Sequence, residues 1–137
     1  MNHPKLEQFK EVLETDFATF YLNDVKDTLI VRYRASTEIT LDIAKEALTV
    51  IKPFKDAGSV YAIIDFSAPF LSMTNEAKQH FKANVSSQNT YLVVIIVRDK
   101  AHKVLVNMYA RFDKPIIPTR VFTSIKEAYR WLTENKI

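Results

Sequence analysis

Apolar residues along this chain fall into runs of two kinds. "VYAIID" (60–65) and "YLVVIIV" (91–97) are apolar without alternation, the pattern of strands covered on both faces. "FATFYL" (17–22) and "TLIVRYR" (28–34) are rich in aromatic and β-branched residues. They are separated by "NDVKD", where Asn23 and Asp24 suit a turn, so the two read as a hairpin. "PTRVFT" (118–123) predicts a further short strand.

Between these runs the apolar period lengthens to that of a helix. Leu41, Ala44, Ala47, Leu48 and Ile51 share one face, with Asp42, Lys45, Glu46, Thr49 and Lys52 on the other. Thr40 is placed to cap this helix, Asp42 suits its positive dipole end, and Pro53 with Gly58 is expected to close it. A second helix is predicted from about Thr74 to Val85. A third, in "DKAHKVLVNMYARF", puts Ala101, Val104, Leu105, Met108 and Phe112 on one stripe. The last starts at Ser124 with Glu127 completing a capping box, and buries Ile125, Ala128, Tyr129 and Leu132. Residues 3–14 read as a short helix or a loose arm. A hairpin followed by three strand–helix units predicts an α/β fold: a mixed sheet of about five strands with parallel strands after the hairpin.

Composition narrows the chemistry. At 137 residues, 47% hydrophobic and 26% charged, the chain is expected to form one domain, residues 1–137, with 1–16 as the possible arm. It has no cysteine, which removes disulfides, thiolate metal sites and a thiol nucleophile, and makes a cytoplasmic location the default. The start is polar and lacks a signal-peptide core, and the longest apolar run, seven residues, is too short to span a bilayer. With a single glycine, Gly58, neither a P-loop nor a dinucleotide fingerprint can be written. Charge is uneven: residues 1–60 carry eight basic and ten acidic side chains, residues 98–137 nine and four. No dense basic run with interleaved aromatics occurs, so the basic half reads as solvated helix faces, not as a nucleic-acid surface.

The arrangement resembles a known family. A hairpin, then three strand–helix units, with Asp65 ending the first parallel strand, resembles the anti-sigma-factor antagonist (STAS, SpoIIAA-like) fold. "DKPIIPTRVFTSIKEAYRWL" (113–132) is similar to the ending of a group of small uncharacterised bacterial proteins of that type. "VRY…EITLDIAKEAL" (31–48) and "IIDFS" (63–67) also match, so the likeness covers roughly residues 17–135. It implies a non-enzymatic interaction domain that meets a protein partner through the helix after this strand and the loop before it. In the phosphorylated antagonists that helix opens with Asp-Ser-Ser-Gly and a serine accepts phosphate. Here Met73-Thr74-Asn75-Glu76 stand there, so Thr74 occupies the acceptor's place while the aspartate and the glycine are absent.

Three hydroxyls in "AIIDFSAPFLSMTNEAKQHF" (62–81) are therefore candidate phosphoacceptor or partner-facing groups: Thr74, Ser72 and Ser67. The structural alternative is that Thr74 caps the helix and the serines shape a turn around Pro69. Asp65 lies at the carboxyl end of a parallel strand, where open α/β sheets place ligands. With Arg98 and Asp99 it forms a candidate ligand or partner rim, in which an Asp65–Arg98 pair would bind an anion or, more simply, hold a loop. Strand β-ends at Thr123-Ser124 share that edge. Neither His80 nor His102 has metal-ligand spacing, no nucleophile–base arrangement is legible, and no metal, cofactor or catalytic residue is expected. Phe70, Val106, Tyr109 and Trp131 flank the buried stripes and read as core edge. Contiguous exposure there would mark a partner surface, with a homodimer as the secondary expectation. The alternative function is a carrier of a small apolar ligand or lipid, of CRAL-TRIO-like architecture, with Phe54, Phe66, Phe81, Met108 and Phe122 lining a pocket.

Overall fold

The computed structural model of the protein describes residues 8–84, 90–100 and 119–136. Six strands form one mixed sheet: β1 (Phe9–Glu14), β2 (Ala18–Asn23), β3 (Thr28–Tyr33), β5 (Tyr61–Phe66), β7 (Leu92–Val97) and β8 (Thr119–Phe122), side by side in that order. Strand β2 runs antiparallel to both of its neighbours, β1 and β3; β3, β5, β7 and β8 are parallel. A second, two-stranded parallel sheet joins β4 (Glu38–Ile39) to β6 (Ser72–Met73). The described helices are α1 (Leu41–Asp56), α2 (Asn75–Asn84) and α3 (Ile125–Asn135).

The sheet is a filled layer between two cores. On one face Ala44 and Ala47 of α1 and Ala77 of α2 pack with Phe20, Leu29, Val31 and Tyr33. On the other, Ile125, Ala128, Tyr129 and Leu132 of α3 pack with Ile30, Ile63, Val94 and Ile96. Covering on both sides is why β5 and β7 read as unbroken apolar runs. The small alanines let α1 and α2 lie close against each other.

Helix starts follow the hydroxyls. Thr40, Thr74 and Ser124 accept hydrogen bonds from the amides of Ile43 (3.4 Å), Ala77 (3.1 Å) and Glu127 (3.4 Å). The expected stop of α1 is corrected. Pro53 lies inside the helix, which continues to Asp56. It ends in a Schellman motif, in which Ser59 N–H reaches Phe54 C=O (3.0 Å) and Gly58 N–H reaches Lys55 C=O (3.1 Å). Gly58 takes the left-handed conformation that this motif needs, at φ 114°.

Two further expectations change. The main sheet has six strands, not five, because residues 9–14 form β1 instead of a helix or arm. The apolar spacing of Leu6, Phe9 and Leu13 fits a helix, but the unpaired edge of β2 supplies a ladder for this segment, and tertiary pairing overrides the local preference. Phe9 is buried and meets Tyr129 edge-on at 5.5 Å. A bulge between Glu11 and Leu13 interrupts the pairing. The helix expected in "DKAHKVLVNMYARF" falls, apart from its first two residues, outside the described residues, as do Val85, His102, Val106, Met108 and Tyr109.

The hairpin turn is held from within. Asn23 is buried, donates to Asp27 Oδ1 (2.8 Å) and accepts from Thr28 N–H (3.0 Å). Burial by itself would raise the Asp27 pKa, but hydrogen bonds from Asn23, Thr28 and Lys136, with the lysine's charge, hold it below the ordinary carboxylate value. Lys136 (3.2 Å from Asp27) thereby ties the end of α3 to this turn.

Candidate functional site

The strand registers set one row of residues directly beside one another across all six strands: Glu14, Thr19, Arg32, Asp65, Ile96 and Phe122. The row crosses near the carboxyl ends of the parallel strands, on the face that α3 covers further along. At its centre Asp65 is 3% exposed. Its Oδ2 accepts from Arg32 Nε at 3.1 Å, and its Oδ1 accepts from the Ser67 amide at 2.9 Å and the Ser67 hydroxyl at 2.5 Å. A buried carboxylate needs such partners, and these three bonds fix the first residues of the loop after β5. Arg34, just beyond β3, pairs with Glu14. Thr19, Arg32, Tyr33, Arg34, Asp65 and Ser67 line an open groove of ≈ 310 Å³ at this end of the sheet.

Beneath the groove, on the opposite face, Phe17, Tyr33 and Phe66 stack in a column, with centroids 6.1 Å and 5.1 Å apart. Burial pushes the Tyr33 phenol well above its ordinary pKa, so it stays neutral. Above it the loop after β5 turns outward. Ser36 N–H donates to Pro69 C=O (3.0 Å), Ser72 N–H to Thr37 C=O (3.1 Å), and Thr74 N–H to Ile39 C=O (3.0 Å). Two loops are thus stitched together by the β4–β6 ladder. At their crest Phe70 is 80% exposed and held at φ 58°, and Ser36 opposite has φ 60°. Such a conformation is rare for any residue other than glycine, and for a bulky aromatic it is an outlier.

The sequence-level candidates separate on this frame. Asp65 and Ser67 come together in the groove. Thr74 lies at the end of the stitched loop as the N-cap of α2, its hydroxyl occupied by Ala77 N–H. Ser72 is exposed and contributes its backbone to the β4–β6 ladder. Asp65 takes its cation from β3, not from β7: Arg32 holds it, while Arg98 follows β7 and pairs with Asp99 at 3.8 Å. An Asp65–Arg98 pair is expected from sequence to bind an anion or hold a loop; the bonds of Asp65 run instead to Arg32 and to Ser67 in the loop after β5. Ser124 caps α3 at the end of β8. Phe70 does not edge the core, whereas Trp131 does, packed at 6.2 Å from Phe122 with Arg120 over its ring.

Phe70 reads from sequence as core edge, and Arg32, not singled out there, still leaves a trace. It breaks the apolar run "TLIVRYR" just as Asp65 breaks "VYAIID", and opposite charges that interrupt two buried neighbouring strands must meet. Of the residues proposed to line a pocket for an apolar ligand, Met108 lies outside the described residues and the other four are divided between the two faces of the sheet. Phe54, Phe66 and Phe81 pack on the α1–α2 face, and Phe122 packs on the α3 face. His80 takes the side-chain amide of Asn84 at 3.3 Å from its ring. Among the described residues no group of three acidic or histidine side chains is placed to hold a metal, and no helix is long and apolar enough to cross a membrane.

Comparison with known proteins agrees with this architecture. No curated protein matches the chain. Among solved structures it is similar to an uncharacterised protein of the DUF3478 family from Shewanella loihica PV-4, which has a SpoIIAA-like fold. The two share 11% sequence identity at a TM-score of 0.54, over 90% of this chain and 91% of the other. The fold expected from the hairpin and the three strand–helix units is therefore SpoIIAA-like, with one more strand than foreseen. Residues 20–136 match the family described as Domain of unknown function (DUF7793), and the chain belongs to that family.

Proposed function

We propose that this is a non-enzymatic, cytoplasmic interaction domain that docks a protein partner through the loop after β5 and the start of α2. Phe70 carries the reading. A phenyl ring presented to solvent lowers no free energy of folding, and its left-handed backbone costs roughly 1–2 kcal/mol. The tethers from Asp65, Ser36 and the β4–β6 ladder hold that conformation in place. A rigidly held aromatic loses little entropy on binding and suits a partner with an apolar cleft one ring wide. The same end of the fold is where STAS-type antagonists meet their partners. Asp65 is committed to Arg32 and Ser67 as a structural acceptor, which argues against its service as a general base.

The test compares capture of binding proteins by the natural chain and by Phe70→Gly. Glycine adopts positive φ freely, so this variant should melt at the same temperature or higher, by up to about 1 kcal/mol in stability. The expected result is a reproducible partner retained by the natural chain and lost from the variant. A partner captured equally by both, or none beyond a second copy of the chain, sinks the proposal.

A further inference from the structure

We infer that the groove beside Arg32 and Arg34 is a binding site for a small phosphomonoester. Three observations carry this, none of which depends on the docking role of Phe70. First, the groove presents positive charge. Its lining holds one described carboxylate, Asp65, whose side chain is 4% exposed and whose oxygens are taken up by Arg32, the Ser67 amide and the Ser67 hydroxyl. The guanidinium-bearing side chains of Arg32 and Arg34 are 33% and 43% exposed. The charge that balances Arg32 lies inside the wall, and Glu14, which balances Arg34, lies outside the lining. Second, the cation is aimed. Asp65 grips Arg32 at Nε from below, as buried carboxylates orient the groups that contact a ligand, and planar guanidinium forks match phosphate oxygens in pairs. Third, the partner of Arg34 is weak. Glu14, bonded to Arg34, is 56% exposed and is not among the lining residues. A surface pair of this kind contributes little and yields readily to a doubly charged oxyanion.

Size selects the ligand class. The ≈ 310 Å³ groove is near the lower bound of small-molecule sites, about 300 Å³, and far exceeds one phosphate group. A phosphate with a short polar substituent fills it, with the Thr19 side chain on the β2 side and Ala68 on the loop side as further lining.

The experiment uses the full chain and follows its backbone amide resonances during titration with glycerol phosphate and with inorganic phosphate. Sodium chloride at matched ionic strength is the control. Saturable shifts centred on Thr19, Arg32, Arg34 and Ser67 are expected, and absent with chloride. Arg34→Gln should weaken binding about tenfold, the loss of one charge-assisted pair. Glu14→Gln, which removes the competitor, should tighten it by up to about fivefold. Both substitutions lie on exposed side chains, so melting curves should remain near those of the natural chain. Shifts that follow ionic strength alone, or affinities that neither variant alters, overturn the assignment. Tighter binding of a phosphoserine peptide than of glycerol phosphate also overturns it, by reassigning the groove to a phosphorylated protein. Phe70→Gly should bind phosphate as the natural chain does, so failure here and failure of partner docking are read separately.

Discussion

Lys55 shows what a single side chain does to this molecule's stability. It sits in the last turn of α1, 2% exposed, and its Nζ has no hydrogen-bond partner among the described residues. Burial lowers its pKa from 10.5 to about 8. The unfolded chain therefore binds more protons between those values, and stability rises as pH climbs from about 8 to 10.5. Below about pH 8 the whole penalty is present, on the order of 3 kcal/mol. Lys55→Met should raise stability at neutral pH by about 2 kcal/mol and flatten that alkaline slope, as measured by denaturant unfolding across the range. A variant no more stable than the natural chain, with the slope intact, would mean the ammonium finds compensation. Legibility at this scale was uneven. Asp65 was found because a charge at the end of an apolar strand is conspicuous. Its partner was misassigned to Arg98, since sequence order does not reveal that β3, not β7, sets an arginine directly beside it. The strain at Phe70 left no trace, because nothing in "SAPFLS" demands positive φ of a phenylalanine.

At the scale of elements, the helix starts were the most readable features. A hydroxyl residue before an amphipathic stretch has one local job, and Thr40, Thr74 and Ser124 all perform it. Thr74→Ala should cost about 1 kcal/mol, and Thr74→Ser only a fraction of that, in thermal or denaturant melts. If alanine is tolerated without loss, the cap is redundant with the Thr74 N–H bond that ties α2 to β4. Helix stops were harder to read. Pro53 suggested an end, yet the core face of α1 extends past it through Phe54 to the glycine-borne Schellman turn. Segment 9–14 was hardest: its spacing suits a helix, and only the edge of β2, distant information at the level of local pattern, makes it a strand.

At the scale of the whole molecule, alternation and period together gave the layer order, because two-sided burial shapes every central strand. They were silent on how the first edge is closed. β1 does this with a bulge and with exposed Lys10, Glu11 and Glu14, devices that discourage further pairing. Deleting residues 1–14 should bare β2 and produce concentration-dependent association, visible by light scattering or sedimentation. A truncated chain that stays dispersed at high concentration would show that β2 protects itself.

The Arg32–Asp65 pair has a consequence beyond the groove it shapes. Strands that are greasy on both sides carry little to say which residue belongs opposite which, and sliding one past the other costs few contacts. A slide of two positions one way would set the carboxylate against Ile30 and carry the guanidinium past the end of β5. The other way would set the guanidinium against Ile63 and carry the carboxylate past the end of β3, so either slide parts the two. The two charges act as a key and its slot, favouring the one alignment of the central layer that joins them.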